Sequence, residues 1–334
     1  TLCGDSPDGP LHTGVTAIVP PGDCFADKLS AAAYVSNGFG KSMGLVQVDE
    51  LGSLETPILM TNTLSCGACY DALVRHALDR HAEIGVDTGT VNPVVMECND
   101  GPINTIRAMA VTPQHGLDAI AAAGDGQLLV PSFQGSRVDG MDRKAYIADH
   151  VTTAHLVTET GAGLMEMNTS CPNEGHNRLL CHDPHLVGEI TEAVKNEIGD
   201  RPLIVKLAYI PNDTDLETMV RETVGHGTVQ GFSTINTISA RLVDANGNQA
   251  LPGAGRDRSG VCGNAIRGAG LDMVGRLAAI REKLGFDFAI VGVGGVIRPD
   301  DYKAYREAGA NAVMSATGAM WDANLAREIK ETLR

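Results

Sequence analysis

The stretch FAIVGVGGVIRPDDYKAYREAGANAVMSATG, Phe288 to Gly318, decides how the second part of the chain folds. It opens on a run of Ala, Ile and Val too short for a helix and too apolar for a surface strand. Such a run suits a strand buried on both faces. Gly292, Gly294 and Gly295 then break the run, and Pro299 opens PDDYKAYREAG. Proline in the first turn, with Asp300 and Asp301 beside the helix dipole, predicts a helix start there. NAVMSATG is a second buried strand. One strand, a crossover helix and a further strand make a βαβ unit, which requires a parallel sheet.

The same period runs back to Gln127. The strands predicted are QLLVPSF, AGLMEMN, PLIVKLAYI, GFSTINTI, FAIVGVGGV and NAVMSATG. The helices predicted between and after them are DRKAYIADHVTTAHLVTETG, DPHLVGEITEAVKNEIG, DLETMVRETVGHG, GLDMVGRLAAIREKLG, PDDYKAYREAG and DANLAREIKETLR. Six βα units predict most of a (β/α)8 barrel of the TIM type, whose chemistry gathers at the C-terminal strand ends. A doubly wound open sheet is the alternative.

Ahead of Gly124–Gln127 the chain changes style. Short segments punctuated by Gly and Thr (TGVTAIVP, AAAYVSNGFGK, TPILMTNTLS, VNPVVMECNDG) predict strands and turns. ACYDALVRHALDRHAEIG carries Leu73, Val74, Ala77 and Leu78 at helical spacing, with Gly85 as its stop. Thr112 and Pro113 predict the start of a second helix. The expected division is a mixed α/β segment over 1–124 and a barrel portion over 125–334.

The totals bound the function. The chain has 334 residues, 43% hydrophobic and 20% charged, so it suits one large or two ordinary globular domains. A net charge of −15 argues against nucleic acid or an anionic membrane as partner, since both call for basic patches. No apolar run approaches the roughly 18–20 residues of a membrane span. Eight dispersed cysteines without a leader read as reduced thiols in the cytoplasm. The chain begins on Thr, which suggests a trimmed start.

The residues after each strand carry the chemistry. They are Asn168 through Asn173, Lys206, Asn236 with Thr237, Gly292 through Gly295, and Ala316 through Gly318. Ordinary turn chemistry explains any one of them, but in a parallel barrel all five share one mouth. Glycines after the fifth strand and SATG after the sixth offer small residues and backbone N–H groups, which suits a phosphate-bearing cofactor. Lys206 lies inside LIVKLAYI, where an ammonium calls for an anion or a function. Cys171, between a hydroxyl and a proline, is a candidate acid/base group. Cys66 and Cys69 form a lone CxxC with no second pair, and no metal site is expected there. His176, Cys181, His182 and His185 read as a solvated loop.

MNTSCPNEG, LIVKLAYIPND, INTIS, DRSGVCGNAIR and AIVGVGGVIRPDDYKAYREAGANAVMSATGAM occur in that order. Together they resemble the FMN barrel of class 1 dihydroorotate dehydrogenases and of dihydropyrimidine dehydrogenase, over about Gln127 to Arg334. The resemblance implies a flavin-dependent oxidation of a dihydropyrimidine, dihydroorotate being the leading substrate. It implies Cys171 as acid/base toward the pyrimidine C5. Asn168, Ser170, Asn236 and Thr237 would hold the ring, with Asn173 nearby. Lys206 would contact the flavin, and Gly260, Gly294, Gly295, Ala316 and Thr317 would hold the FMN ribityl phosphate. Electrons would leave to a soluble acceptor or a separate electron-transfer subunit, and a homo-oligomer is expected. Three departures stand out. Ala316 replaces a usual glycine. LLVPSFQGSR lacks the expected asparagine, which leaves Gln134 or Ser136. The first three βα units, with their second lysine, are not recognisable.

TGVTAIVP, VSNGFGKSMGLVQVDELGSLETPILMTNTLS, VNPVVMECNDGPIN and VTPQHGLDAI resemble instead the N-terminal part of the self-processing D-aminopeptidase/β-aminopeptidyl peptidase family. The portion that carries that family's nucleophilic serine is missing, and GSRVDG at Gly135–Gly140 is a poor substitute. No peptidase catalytic residue is carried over. The chain reads as a mosaic, with a self-processing aminopeptidase or an inactive mosaic as the alternatives to the oxidoreductase.

Overall fold

The computed structural model describes residues 2–35, 39–87, 89–123, 128–138, 140–171, 179–251, 257–322 and 324–333. They form two compact units, Thr1–Leu128 and Leu129–Arg334, each with its own core.

In the first unit, β1 (Leu2–Ser6) and β2 (Gly9–Thr13) make a hairpin. The strands β3 (Val15–Ile18), β4 (Leu29–Ser30), β5 (Ser42–Met43), β6 (Ser53–Leu54), β7 (Ile58–Thr61) and β8 (Val94–Glu97) follow. A mixed sheet has the order β3-β7-β8-β5, and β4 pairs with β6. The helices are α1 (Leu45–Leu51), α2 (Cys66–Leu78) and α3 (Pro113–Ala121). Leu73, Ala72 and Cys69 of α2 are buried against Leu59 and Val95 of the sheet. Cys66 and Cys69 are therefore core residues, and burial pushes the Cys69 thiol up to about 11. α2 stops at Leu78, short of the expected Gly85. α3 starts where Thr112 and Pro113 predict, with His115 completing a capping box.

The second unit alternates strand and helix. Its main strands are β9 (Ser132–Phe133), β10 (Met165–Asn168), β11 (Leu203–Leu207) and β12 (Gly231–Thr234). A hairpin, β13 (Ile238–Arg241) with β14 (Arg258–Val261), interrupts before β15 (Ala289–Val293) and β16 (Ala312–Met314). The helices are α4 (Arg143–Glu159), α5 (Pro184–Ile198), α6 (Asp213–Thr223), α7 (Arg267–Leu284), α8 (Pro299–Glu307), α9 (Thr317–Trp321) and α10 (Leu325–Thr332). Asp142 and Asp183 cap α4 and α5 by accepting the N–H of Ala145 at 2.7 Å and of Leu186 at 3.1 Å.

Six strands pair in parallel in the order β16-β15-β12-β11-β10-β9, sequential throughout. Successive helices pack on one another, α4 on α5, α5 on α6, α6 on α7 and α7 on α8. The winding never reverses, so the sheet lacks the switch point of a doubly wound fold. Register places Met167, Val205, Phe232 and Ile290 on one face, all within the hydrophobic core. The opposite face carries Asn168, Lys206, Ser233 and Val291 in register, so its polar side chains stand where a parallel α/β unit keeps its chemistry.

Two expectations fail for physical reasons. QLLVPSF shrinks to Ser132–Phe133, the two residues that pair with Glu166 and Met167. Leu128 and Leu129, ahead of β9, are 71% and 72% exposed, and β9 itself is an edge strand. The β13–β14 hairpin starts on the last residue of GFSTINTI, where no hairpin is predicted, although Ile238–Arg241 alternate half-buried and exposed.

His150 of α4 is fully buried against Gly135, where a Cβ would lie 2.3 Å from the imidazole Nδ1. Nδ1 lies 3.0 Å from the Tyr146 carbonyl, to which it donates, while Nε2 has no partner among the described residues. Burial therefore lowers the pKa of this imidazole below 6.5, against the opposing pull of Tyr146 O and Asp149. The unfolded chain binds the extra proton first, so this contribution to stability is complete above about pH 6.5 and falls as pH drops toward the folded pKa. Thermal melts from pH 7 to 5 should fall less steeply in His150→Gln than in the parent. Equal slopes would rule this contribution out.

Candidate functional site

The loops after β10, β11 and β12 are tied together by polar side chains. Ser170, 1% exposed, donates its hydroxyl to Asn168 Oδ1 at 2.9 Å and its N–H to the same oxygen at 3.1 Å. Asn236 Nδ2 donates to the carbonyl and the hydroxyl of Ser170, each at 3.0 Å. The Thr237 N–H closes on Asn236 Oδ1 at 2.9 Å. Asn168 Nδ2 reaches Gln134 Oε1 at 3.3 Å, so Gln134 supplies the amide at the end of β9. Ser136 instead has its N–H held by Asp149 at 2.6 Å. Thr169 donates its hydroxyl to the Lys206 carbonyl at 2.7 Å, fixing the loop to β11. Cys171 follows Ser170 directly, half-buried, with a free thiol. Asn173 and His176 lie outside the described residues.

Lys206, Asn236, Thr237, Gly294, Gly295 and Thr317 line one cleft, of about 110 Å³, together with Ala316. Lys206 is half-buried, and among the described residues its ammonium has no hydrogen-bond or ion-pair partner. Gly294 and Gly295 take φ of +123° and +69°, which few side chains tolerate. The N–H groups of Gly295 and Val296, both buried, donate to no acceptor among the described residues. Buried amides without acceptors and a partnerless ammonium are complementary to an anion. Gly260 sits in β14, where a Cβ would lie 2.3 Å from Thr237 Oγ1, and Gly263 lines the cleft.

Sequence reasoning passed over Glu166. It is 5% exposed and on the same face as Asn168 and Lys206, accepting the hydroxyls of Ser132 at 2.8 Å and of Ser233. A carboxylate inside LMEMN is the same signal as the lysine inside LIVKLAYI. Ser315, within the SATG already singled out, also lines the cleft, and so does Cys262, which had no comparable signal.

Glycine-lined clefts at the strand ends of parallel α/β units suit phosphate-bearing ligands. The chain belongs to the dihydroorotate dehydrogenase family, whose model matches residues 84–334. Peptidase family S58 matches residues 2–139. The chain is 32% identical to a dihydroorotate dehydrogenase of Dictyostelium discoideum over 207 residues, 61% of this chain and 55% of that protein. It is 29% identical to a putative dihydroorotate dehydrogenase A (fumarate) of Solibacter usitatus over 292 residues, 84% and 89% of the two chains. Over 154 residues it is 33% identical to the beta-peptidyl aminopeptidase BapA of Sphingosinicella microcystinivorans, 41% of this chain and 38% of that one. The chain thus spans little more than half of the Dictyostelium protein and well under half of BapA.

Members of the dihydroorotate dehydrogenase family use FMN. The residues present fit such a group. Two buried amides lack acceptors and suit a phosphate, and Lys206 offers a positive charge on the same cleft. No described helix is long and apolar enough to cross a membrane.

Proposed function

We propose that this chain is an FMN-dependent oxidoreductase acting on a dihydropyrimidine, with dihydroorotate as the leading substrate. The observation that carries the reading is the cleft itself, with Lys206 and the acceptorless amides of Gly295 and Val296 on one wall. The architecture it calls for is six units of a (β/α)8 barrel over 125–334, preceded by a peptidase-like segment over 1–124. The sequential strand order supports it.

Bound FMN would supply the acceptor for the hydride that leaves the pyrimidine C6. The remaining roles fall to the chain. Gly260, Gly294, Gly295, Ala316 and Thr317 hold the ribityl phosphate. Lys206 holds a positive charge beside the flavin and favours its anionic reduced form. Asn168, Ser170, Asn236 and Thr237 hold a ring that alternates C=O and N–H, because amides and hydroxyls both donate and accept. Their mutual hydrogen bonds orient them before the ring arrives, which lowers the cost of binding it. Cys171 takes the C5 proton. The electron acceptor is a soluble molecule or a separate subunit, and the protein works in the cytoplasm as a homo-oligomer.

Visible absorption of the purified protein tests the reading, followed by heat release and identification of any flavin. The expected result is a yellow protein that releases near-stoichiometric FMN and bleaches anaerobically with dihydroorotate. A colourless protein that fails to take up added FMN would sink it. The match of residues 2–139 to Peptidase family S58 favours a second reading, a self-processing aminopeptidase. Intact mass separates the two, since self-processing leaves two pieces and the oxidoreductase leaves one. Lys206→Met should retain FMN less tightly and lower its reduction potential, read by dye equilibration. An unchanged potential would remove Lys206 from the flavin.

A further inference from the structure

We propose that Tyr305 and Asp301, one helical turn apart on α8, are positioning residues that hold the Gly294–Arg298 loop in its phosphate-binding form. The inference rests on the FMN reading above and goes beyond it, to residues that touch neither cofactor nor substrate.

Tyr305 is fully buried beneath the loop. Its hydroxyl donates to the Gly294 carbonyl at 2.7 Å and lies 3.3 Å from that of Val293. The slot for the ring is made by two glycines. A Cβ on Gly292 would lie 2.4 Å from the ring, and one on Gly270 would lie 2.0 Å from the hydroxyl oxygen. Burial pushes the phenol up to about 12, so it stays a donor throughout the working range. Asp301, 2% exposed, holds the other end of the same loop. Its Oδ2 accepts the N–H of Ile297 at 3.1 Å and of Arg298 at 3.2 Å, while Oδ1 pairs with Arg267.

The consequence is a division of labour among consecutive amides. Ile297 and Arg298 turn their N–H groups toward Asp301, and Tyr305 fixes the Gly294 carbonyl. The amides between, Gly295 and Val296, have no acceptor among the described residues. A loop pinned at both ends keeps those two donors in place without a ligand, so binding a phosphate need not order the backbone. A tyrosine that merely filled space would need no hydroxyl, and a phenylalanine would fill the same slot.

Tyr305→Phe keeps the ring and removes only the hydroxyl. Asp301→Asn keeps the shape and weakens the acceptor. The full chain is stripped of flavin, and three quantities are read: FMN affinity by flavin fluorescence, melting temperature, and hydrogen exchange of the Gly294–Arg298 amides without FMN. The expected result for Tyr305→Phe is about tenfold weaker FMN binding, with faster loop exchange. The melting temperature should stay within a few degrees of the parent. Asp301→Asn should act in the same direction. Unchanged affinity and unchanged loop exchange would overturn the proposal, and so would exchange that quickens across the whole second unit. If the parent binds no FMN at all, the cofactor reading fails and the phosphate role with it. Loop exchange then still decides whether the two residues hold the loop.

Discussion

Replacing Gly295 by alanine is expected to yield protein that purifies without flavin and takes up added FMN at least about a hundredfold more weakly. Two effects combine. At φ +69° an alanine pays roughly 1–2 kcal/mol for the left-handed backbone. Its Cβ would also stand 2.7 Å from Arg267 Cβ, 2.9 Å from the Gly263 carbonyl oxygen and 3.1 Å from Asn264 Cα. Two of these neighbours are backbone and cannot swing aside, so the β15 loop must move away from the segment after β14. Both segments line the same cleft. A hundredfold corresponds to about 2.7 kcal/mol, within reach of strain and displacement together. Gly285→Ala is the control. It has φ +66° in the left-handed region and nothing within 4 Å of the added methyl, at the end of α7. It should lower the melting temperature slightly and leave FMN affinity alone. A Gly295→Ala protein that titrates with FMN like its parent would remove the loop from the cofactor site.

Much of this site was legible because a parallel sheet converts sequence position into place. Once FAIVGVGGV and LIVKLAYI are strands of one sheet, the residues at their C-terminal ends share one side of it. Lys206, Asn236, Gly294, Gly295 and Thr317 line a common cleft for that reason. Two kinds of feature were not legible. The β13–β14 hairpin begins on the last residue of GFSTINTI, and its single alternation of four residues, Ile238 to Arg241, overlaps the end of that strand. Gly260 lies in β14, and Gly263 just beyond it lines the cleft. Tyr305 was hidden for a different reason. In PDDYKAYREAG it reads as an ordinary apolar position facing the sheet, and only the fold aims its hydroxyl at Gly294. Glu166 was within reach, since a buried carboxylate in a strand breaks the same rule as a buried lysine. In the first unit, α2 ends at Leu78, yet Ile84 beyond it is buried in one cluster with Ala77 and Val91, so the apolar period runs on past the helix that it was read to extend.

Cys171→Ser should separate chemistry from binding. The substitution exchanges sulfur for oxygen in a half-buried side chain and leaves the neighbouring hydrogen bonds of Asn168, Ser170 and Asn236 in place. FMN affinity and the visible spectrum should therefore match the parent. Bleaching of the flavin by dihydroorotate under anaerobic conditions should slow by about 10²–10⁴, the range that a positioned general base contributes. The physical reason is proton affinity. A thiol gives up its proton within reach of neutral pH, whereas a serine hydroxyl does not, so a serine here can orient a substrate but is a poor base. A variant that bleaches at the parent rate would take the proton transfer away from Cys171. A variant that loses FMN would instead mean that the loop after β10 supports the cofactor, because Thr169 in the same loop is hydrogen-bonded to the backbone of Lys206.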